Sequence, residues 1–282
     1  MAAEKACYPV RTICRALDLS PSGFYAWRHR PRAARAQTDR RLRVQIRAVH
    51  AESRGRYGSP RVHEALQQQA IRVGRNRVIR LMRAEGLHGR PTRRFRVTTR
   101  ADPHAAPAPN HLQRQFQPAR LNAVWAGDIT AIPIHSGWLY LAVVLDLRSR
   151  RVLGWAVDRA GDTALVLQAW AHALALRGRP PQMYHSDRGC QYTSTAFQSA
   201  LAQHGVRCSM SRKGNCFDNA VVESFFRTLK VEGLPETPWA DRHEAMSALS
   251  AFIDDFYNRR RLHSTLGYRS PIQFEQRQAA VA

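Results

Sequence analysis

Between Val124 and Val157 the chain takes on the period of strands, and that stretch sets the fold class. Val124–Ile134 alternates apolar and polar side chains, and Ser136-Gly137 is a hairpin signal. Residues 138–146 are apolar almost throughout, as a central strand covered on both faces would be. Arg148-Ser149-Arg150 turns the chain into a third strand over 152–157. Helices and short strands then alternate. Asp162 or Thr163 caps a helix that runs to Arg177 and stops at Gly178, and residues 182–186 form a strand that ends in Asp187. Residues 194–204 form a helix closed by Gly205, and 206–209 are the last strand. After a polar loop over 211–217, Asp218 or Asn219 caps a helix through Val231, and 240–257 is a final long helix. The order βββαβαβα predicts an α/β layer fold, a mixed five-stranded sheet with flanking helices.

The first hundred residues read differently. Residues 10–17 form a short helical stretch, Asp18-Leu19-Ser20 turns, and Ser20 caps a second helix with Pro21 in its first position. Phe24, Tyr25 and Trp27 supply its packing. This helix–turn–helix pattern fits a DNA reader or a plain helical hairpin. Leu42, Ile46 and Val49 then line one helical face; Tyr57-Gly58-Ser59-Pro60 provides a turn, a cap and an N1 proline for the next helix. Residues 75–85 form another helix with Val78, Leu81 and Met82 inward and Gly86 as its stop. Arg75, Arg77, Arg80 and Arg83 occupy its outer face and are candidate DNA contacts. Residues 101–110 carry three prolines and little that could pack. The expected organisation is a helix–turn–helix-like segment over 1–35, a basic all-helical DNA-binding domain over 36–100, a linker over 101–118, and the α/β domain over 119–282.

Charge follows the same division. Residues 1–100 hold 24 Lys+Arg and 6 Asp+Glu, while residues 101–282 hold 20 and 15. A chain of net charge +23 needs a polyanionic partner, and nucleic acid leads. The longest apolar run, 139–145, is the length of a strand rather than of a membrane span, and no signal peptide precedes it. Five cysteines without a C-x-x-C pair argue against a disulfide scaffold or a zinc finger. A reducing cytoplasm is the expected compartment.

Three acids stand out by position. Asp128 lies inside the apolar word VWAGDITAI, Asp187 ends the strand in MYHSDRGCQY, and Glu223 follows a polar loop in RKGNCFDNAVVESFFRTLK. Carboxylates placed on or beside buried strands are costly unless paired or bound to a cation. Were the three to converge, their repulsion would call for a divalent metal, and hard oxygen donors with a phosphate substrate suit Mg²⁺ or Mn²⁺. Each acid taken alone also fits a routine ion pair, a turn or a surface charge. Arg227 and Lys230, four and seven residues beyond Glu223, share its helical face, where they could grip DNA or make an ordinary i,i+4 pair.

With 35 residues between Asp187 and Glu223, and Lys230 seven beyond, the pattern resembles the DDE signature of transposases and retroviral integrases. The words WLYLAVVLDLRSRRVLGWAV, HSDRGCQYTS, SMSRKGNCFDNAVVESFFRTLK and YNRRRLHSTLGYRSP are similar to the OrfB product of bacterial insertion sequences of the IS-three group. The stretch RYGSPRVHEAL with NRVIRLMRAEGL resembles the helical domain that precedes the catalytic domain there.

The resemblance implies a ribonuclease-H-like catalytic domain. It implies Asp128, Asp187 and Glu223 as catalytic metal ligands for two Mg²⁺ or Mn²⁺ ions, and a transposase that cuts DNA at element ends and transfers the freed strand. Gly127 departs from the threonine usual before the first aspartate. Arg212, Lys213 and Asn215 become candidate DNA contacts, with Arg227 and Lys230. His185 could orient a water or simply pack. Asn258, Arg261 and His263 take either structural or DNA-contact roles. The implied partners are double-stranded DNA, further copies of the chain assembled on it, and an upstream OrfA product, separate or fused. The residues at the start show no leucine-zipper heptads, so part of the end-recognition apparatus is expected elsewhere. The implied place is the bacterial cytoplasm, at the nucleoid. A DNA-binding regulator with an unused catalytic site is the alternative. A ribonuclease H or a resolvase would share the sheet but not the basic first third.

Overall fold

A computed structural model describes residues 9–29, 34–90, 108–212 and 215–281. The chain divides into two compact units, Met1–Gly89 and Arg90–Ala282.

The first unit is helical among its described residues: α1 (Val10–Ala16), α2 (Pro21–His29), α3 (Ala34–Glu52), α4 (Ser59–Gln68) and α5 (Arg75–Ala84). The Ser20 hydroxyl accepts from the Gly23 N–H at 3.3 Å, the cap that the sequence predicts. Val10, Cys14 and Phe24 form a small core between α1 and α2. The expected packing by three aromatics holds only for Phe24. Tyr25 and Trp27 are 44% and 64% exposed, and their rings lie 5.5 and 6.1 Å from that of Phe24. Leu42, Ile46, Val49, Val62, Leu66, Val78, Leu81 and Met82 form the buried faces of α3, α4 and α5. Gly58, rather than Ser59, is the N-cap of α4, and Ser59-Pro60 opens the helix itself. The arginine row of α5 is partly spoken for: Arg77 and Arg80 grip Asp39 of α3 at 2.7 and 2.6 Å, while Arg75 and Arg83 are exposed. These two guanidiniums hold the Asp39 carboxyl below its ordinary range.

The second unit is built on a five-stranded sheet of β1 (Val124–Ile134), β2 (Gly137–Asp146), β3 (Val152–Asp158), β4 (Met183–Ser186) and β5 (Arg207–Met210), in the spatial order β3-β2-β1-β4-β5. The first three strands are antiparallel, and β4 and β5 run parallel to β1. The predicted mixed sheet is therefore present, with one correction. The apolar strand β2 is internal, but β1 occupies the middle. Helix α6 (Thr163–Arg177), capped by Asp162 through the Leu165 N–H at 3.1 Å, lays Leu165, Val166, Ala169, Trp170 and Ala173 on one face of the sheet. Its close approach depends on Gly154 of β3, where a Cβ would lie 2.5 Å from the Ala173 nitrogen.

The outer edge of β3 is closed by side chains. Asn258 pairs with both the N–H and the C=O of Val152 at 3.0 Å, the Trp155 carbonyl meets His172 Nδ1 at 2.9 Å, and Arg242 donates to the Val157 carbonyl at 2.9 Å. An edge satisfied in this way is a poor template for a further strand. Beyond β4 come the short α7 (Cys190–Thr193), absent from the sequence expectation, α8 (Thr195–Gln203) and α9 (Ala220–Thr228). The stretch expected as the final helix becomes α10 (Arg242–Ser250), capped by Asp241 and continued by wider turns over Ala251–Tyr257. It is not final. Helix α11 (Pro271–Val281) follows, tied to the sheet side by Glu275, which accepts from Arg151 at 2.7 Å and Arg177 at 3.0 Å.

Candidate active site

Alternation along β1 sends Trp125 and Ile129 into the core against α6 and turns Asp128 to the opposite face. Asp187 directly follows β4, the parallel neighbour of β1, and Glu223 lies in the first turn of α9, which packs against β1. Asp128 and Asp187 are half-buried and Glu223 is exposed. The backbone N–H of Ile129 reaches Asp128 Oδ1 at 2.8 Å, and that of Gly189 reaches Asp187 Oδ1 at 2.9 Å.

Electrostatics tie the three together. Burial raises the Asp128 carboxyl well above the usual range, and Asp187 and Glu223 push it further; Lys230 opposes. Burial also raises Asp187, and raises Glu223 with help from Asp187. Burial lowers the Lys230 ammonium, and the charge of Asp128 draws it back up. Three acids from three separate segments thus lie in one another's field, with a lysine beside the first. Among the described residues no three His, Cys, Asp or Glu side chains are gathered into a ready-made ion cage. The donor chemistry nonetheless fits a divalent cation. All the donors are hard oxygens, and both influences that disfavour their charge, burial and mutual repulsion, are reversed by a nearby positive ion.

The loop between β5 and α9 is organised around Asp218. Its carboxylate is fully buried and accepts from Arg212, Arg114 (2.9 Å) and Asn110 (2.9 Å). The Arg212 guanidinium is the main cause that holds it far below the ordinary range. Asp218 therefore anchors the loop and caps nothing. Asn215 Oδ1 accepts from the Phe217 N–H at 3.2 Å and from Arg114 at 3.0 Å, which caps the turn Cys216–Asn219. Asn219 stands at the N-cap of α9 without a capping hydrogen bond, and its side-chain amide donates instead to the Gly127 carbonyl at 3.5 Å. Lys213 lies outside the described residues. Arg227 is exposed, and among the described residues no ion pair joins it to Glu223. The helix widens over Leu229–Gly233, and Lys230 sits in that wider turn.

His185 is buried between Ser209 (2.9 Å) and Ser211 (3.3 Å), and desolvation brings it down to about 4, so it packs as a neutral ring. Asn258, with its pairing to β3, and Arg261, buried on Glu232 at 2.7 and 2.8 Å, are structural. His263 stacks edge-on against Tyr257. The Asp218 hub, with Arg114 and Asn110, escapes sequence reasoning because an aspartate before a helix reads as a cap.

Comparison with known proteins places this site in a family. Residues 118–216 and 204–271 match models described as Integrase core domain, and 37–95 match an HTH-like domain. The chain is 38% identical over 267 residues to the "Insertion element IS600 uncharacterized 31 kDa protein" of Shigella sonnei, covering 94% of this chain and 98% of that protein. It is 38% identical over 284 residues to "Transposase InsF for insertion sequence IS3A" of Escherichia coli K12, covering 98% and 97%. The chain belongs to the IS3 family of DDE transposases.

In this IS3-family chain the two integrase-core matches span Asp128, Asp187, Glu223 and Lys230. The HTH-like match covers α3, α4 and α5 and leaves out α1 and α2, the pair that the sequence alone marks as helix–turn–helix. The catalytic core domain of HTLV-2 integrase, solved in complex with magnesium, is 18% identical and aligns with a TM-score of 0.41 over 56% of this chain and 99% of that one. No helix among the described residues is long and apolar enough to cross a membrane.

Proposed function

We propose that this transposase cuts DNA at the ends of its insertion sequence and transfers the freed strand into target DNA, with Asp128, Asp187 and Glu223 as its catalytic residues. The observation that carries this reading is the shared electrostatic field of three acids contributed by β1, the end of β4 and α9. The three carboxylates would hold a pair of Mg²⁺ or Mn²⁺ ions. Bound there, such ions supply charge neutralisation at the scissile phosphate and favour ionisation of the attacking hydroxyl.

Each chemical step exchanges one P–O bond for another, and the proton lost by the attacking oxygen is balanced by the one the leaving 3′-oxygen takes up. In cleavage a water oxygen bonds to phosphorus and the P–O3′ bond breaks, leaving a 3′-hydroxyl. In transfer that hydroxyl bonds to a target phosphorus and displaces a second 3′-oxygen. The protein's own part is placement. β1 and β4 are rigid parallel neighbours that fix Asp128 and Asp187, and the Asp218 hub fixes the entry to α9 and so Glu223. Lys230, within the field of Asp128 and partly desolvated, would contact the phosphate beside the reacting bond. Arg227, exposed one turn after Glu223, would meet the backbone further out. Arg212 and Asn215 would act on DNA through the loop they hold together. Arg75 and Arg83 of the HTH-like segment, with Arg77 and Arg80 paired to Asp39, would grip double-stranded DNA without regard to sequence.

Synapsis of two ends calls for at least two copies on the DNA, and an upstream OrfA product is the expected second partner in the bacterial nucleoid. The test is to incubate the chain, with and without that partner, with a plasmid carrying candidate ends and Mg²⁺, and to map the joined strands. Joined ends that vanish with Asp187→Asn are the expected result. Unchanged joining by Asp187→Asn would overturn the assignment.

A further inference from the structure

The three acid-bearing elements meet at a residue with no side chain. Gly127 precedes Asp128 on β1. A Cβ built on it would overlap the Tyr184 hydroxyl and lie 2.8 Å from the Tyr184 Cζ and 3.1 Å from the Val143 carbonyl oxygen. Tyr184 belongs to β4, three residues before Asp187, and it cannot retreat. Its buried ring is wedged against Trp170, Phe197 and Tyr192, with centroids 5.5, 5.3 and 6.3 Å away. Asn219, four residues before Glu223, reaches the same glycine through its carbonyl. The Asn219 side chain is only 4% exposed, and its Oδ1 has no hydrogen-bond partner among the described residues. The Gly127 carbonyl can only accept, so the amide nitrogen must face it.

We infer that Gly127 is the junction that registers β1, β4 and α9 against one another, and that Tyr184 and Asn219 are positioning residues that act through it on Asp128. The inference rests on the reading of the three acids as metal ligands. Its physical reason is that carboxylates in one another's field push apart before a cation arrives. A backbone gripped one residue from Asp128, by the strand that leads to Asp187 and the helix that carries Glu223, resists that push. Space rather than backbone conformation demands the glycine. Any side chain at 127 would drive β1 and β4 apart at the level of the site.

The test uses Gly127→Ala, Tyr184→Leu, their combination and Asn219→Ala in the full chain. Mn²⁺ binding is measured without DNA by electron paramagnetic resonance, beside the saturating strand-transfer rate and the KM for DNA. Supporting groups behind metal ligands typically change metal affinity by about 10- to 100-fold. The expected result is Mn²⁺ affinity about 10-fold lower or worse in Gly127→Ala and Asn219→Ala, with a reduced saturating rate and an unchanged KM for DNA. Adding Tyr184→Leu to Gly127→Ala should recover both, because the shorter side chain vacates the space the methyl needs. Wild-type Mn²⁺ affinity in Gly127→Ala and Asn219→Ala, or a combined variant no better than Gly127→Ala, overturns the junction. Should Gly127→Ala fail to fold, a combined variant that folds yet binds no Mn²⁺ also overturns it, because Tyr184 then merely packs. A wild-type chain that binds no Mn²⁺ removes the metal reading itself, an outcome distinct from failure of the variants alone.

Discussion

Arg212 holds Asp218 with two guanidinium nitrogens, Nε at 2.9 Å and Nη2 at 3.0 Å, and its own backbone N–H adds a third donor at 3.0 Å. The pair ties residue 212 to residue 218, six positions on, just before the helix bearing Glu223 begins. Asp218 is fully buried while the Arg212 side chain is 57% exposed, so the arginine could be hydrated elsewhere but the carboxylate could not. Asp218→Ala is expected to destabilise the fold by about 2 kcal/mol, the loss of charged hydrogen bonds tempered by rehydrated arginines. Strand transfer should fall more steeply than stability, because Glu223 loses its fixed entry. Urea unfolding beside a strand-transfer assay separates the two effects.

The pH dependence of the metal-free chain should carry two opposite signatures. The Asp218 carboxyl is depressed in the fold, so its contribution is present above the ordinary aspartate range and is lost as pH falls below about 4. Asp128 is raised in the fold, so its contribution is present below that range and is lost as pH rises through the raised native value. Without metal, stability should therefore climb as pH is lowered through the raised native value of Asp128 and then collapse in acid below about 4. Asp128→Asn should flatten the upper limb and raise metal-free stability at pH above the raised native value, while strand transfer is abolished. Urea midpoints across pH, with and without Mg²⁺, check this. A steep upper limb that persists in Asp128→Asn would refute it.

Asn258 covers the edge of the sheet at Val152. Asn258→Ala leaves the Val152 N–H and C=O without their partner, at a cost of about 1–3 kcal/mol, and uncovers part of the β3 edge. The expected outcome is a lower melting temperature and concentration-dependent light scattering. The metal affinity of the folded fraction should stay as in the wild type, since Asn258 touches none of the three acids.

The mixed sheet and the unusual positions of the three acids were legible because their signals are local. An aspartate in VWAGDITAI interrupts an apolar alternation, and Gly178 and Gly205, both at φ 64°, mark helix ends. What stayed hidden is non-local. Helix α11 sets its large apolar residues Ile272 and Phe274 two apart rather than at helical spacing, and Glu275 pairs with Arg151 and Arg177 across 124 and 98 residues. Asp218 and Asn219 both read as caps, because the residue types that cap a helix also make tertiary bonds. In the sequence Gly127 is only a departure from the usual threonine. Only the fold reveals that a tyrosine from β4 fills its space.

The arginines of α5 divide into two pairs with different expected footprints on DNA. Arg77 and Arg80 share Asp39, so part of their charge is already neutralised, while Arg75 and Arg83 face solvent. Each phosphate contact contributes close to one unit to the slope of log affinity against log salt. Arg75→Ala and Arg83→Ala should each lower that slope by about 1, almost equally for any duplex. Arg77→Ala should lower it less and cost stability instead, because Asp39 loses a partner at 2.7 Å. Fluorescence anisotropy over a range of salt concentrations, paired with thermal melts, discriminates the pairs. Equal slope changes for all four would mean that DNA takes Arg77 and Arg80 away from Asp39 on binding. In that case Asp39→Asn should tighten DNA binding at the expense of the free fold.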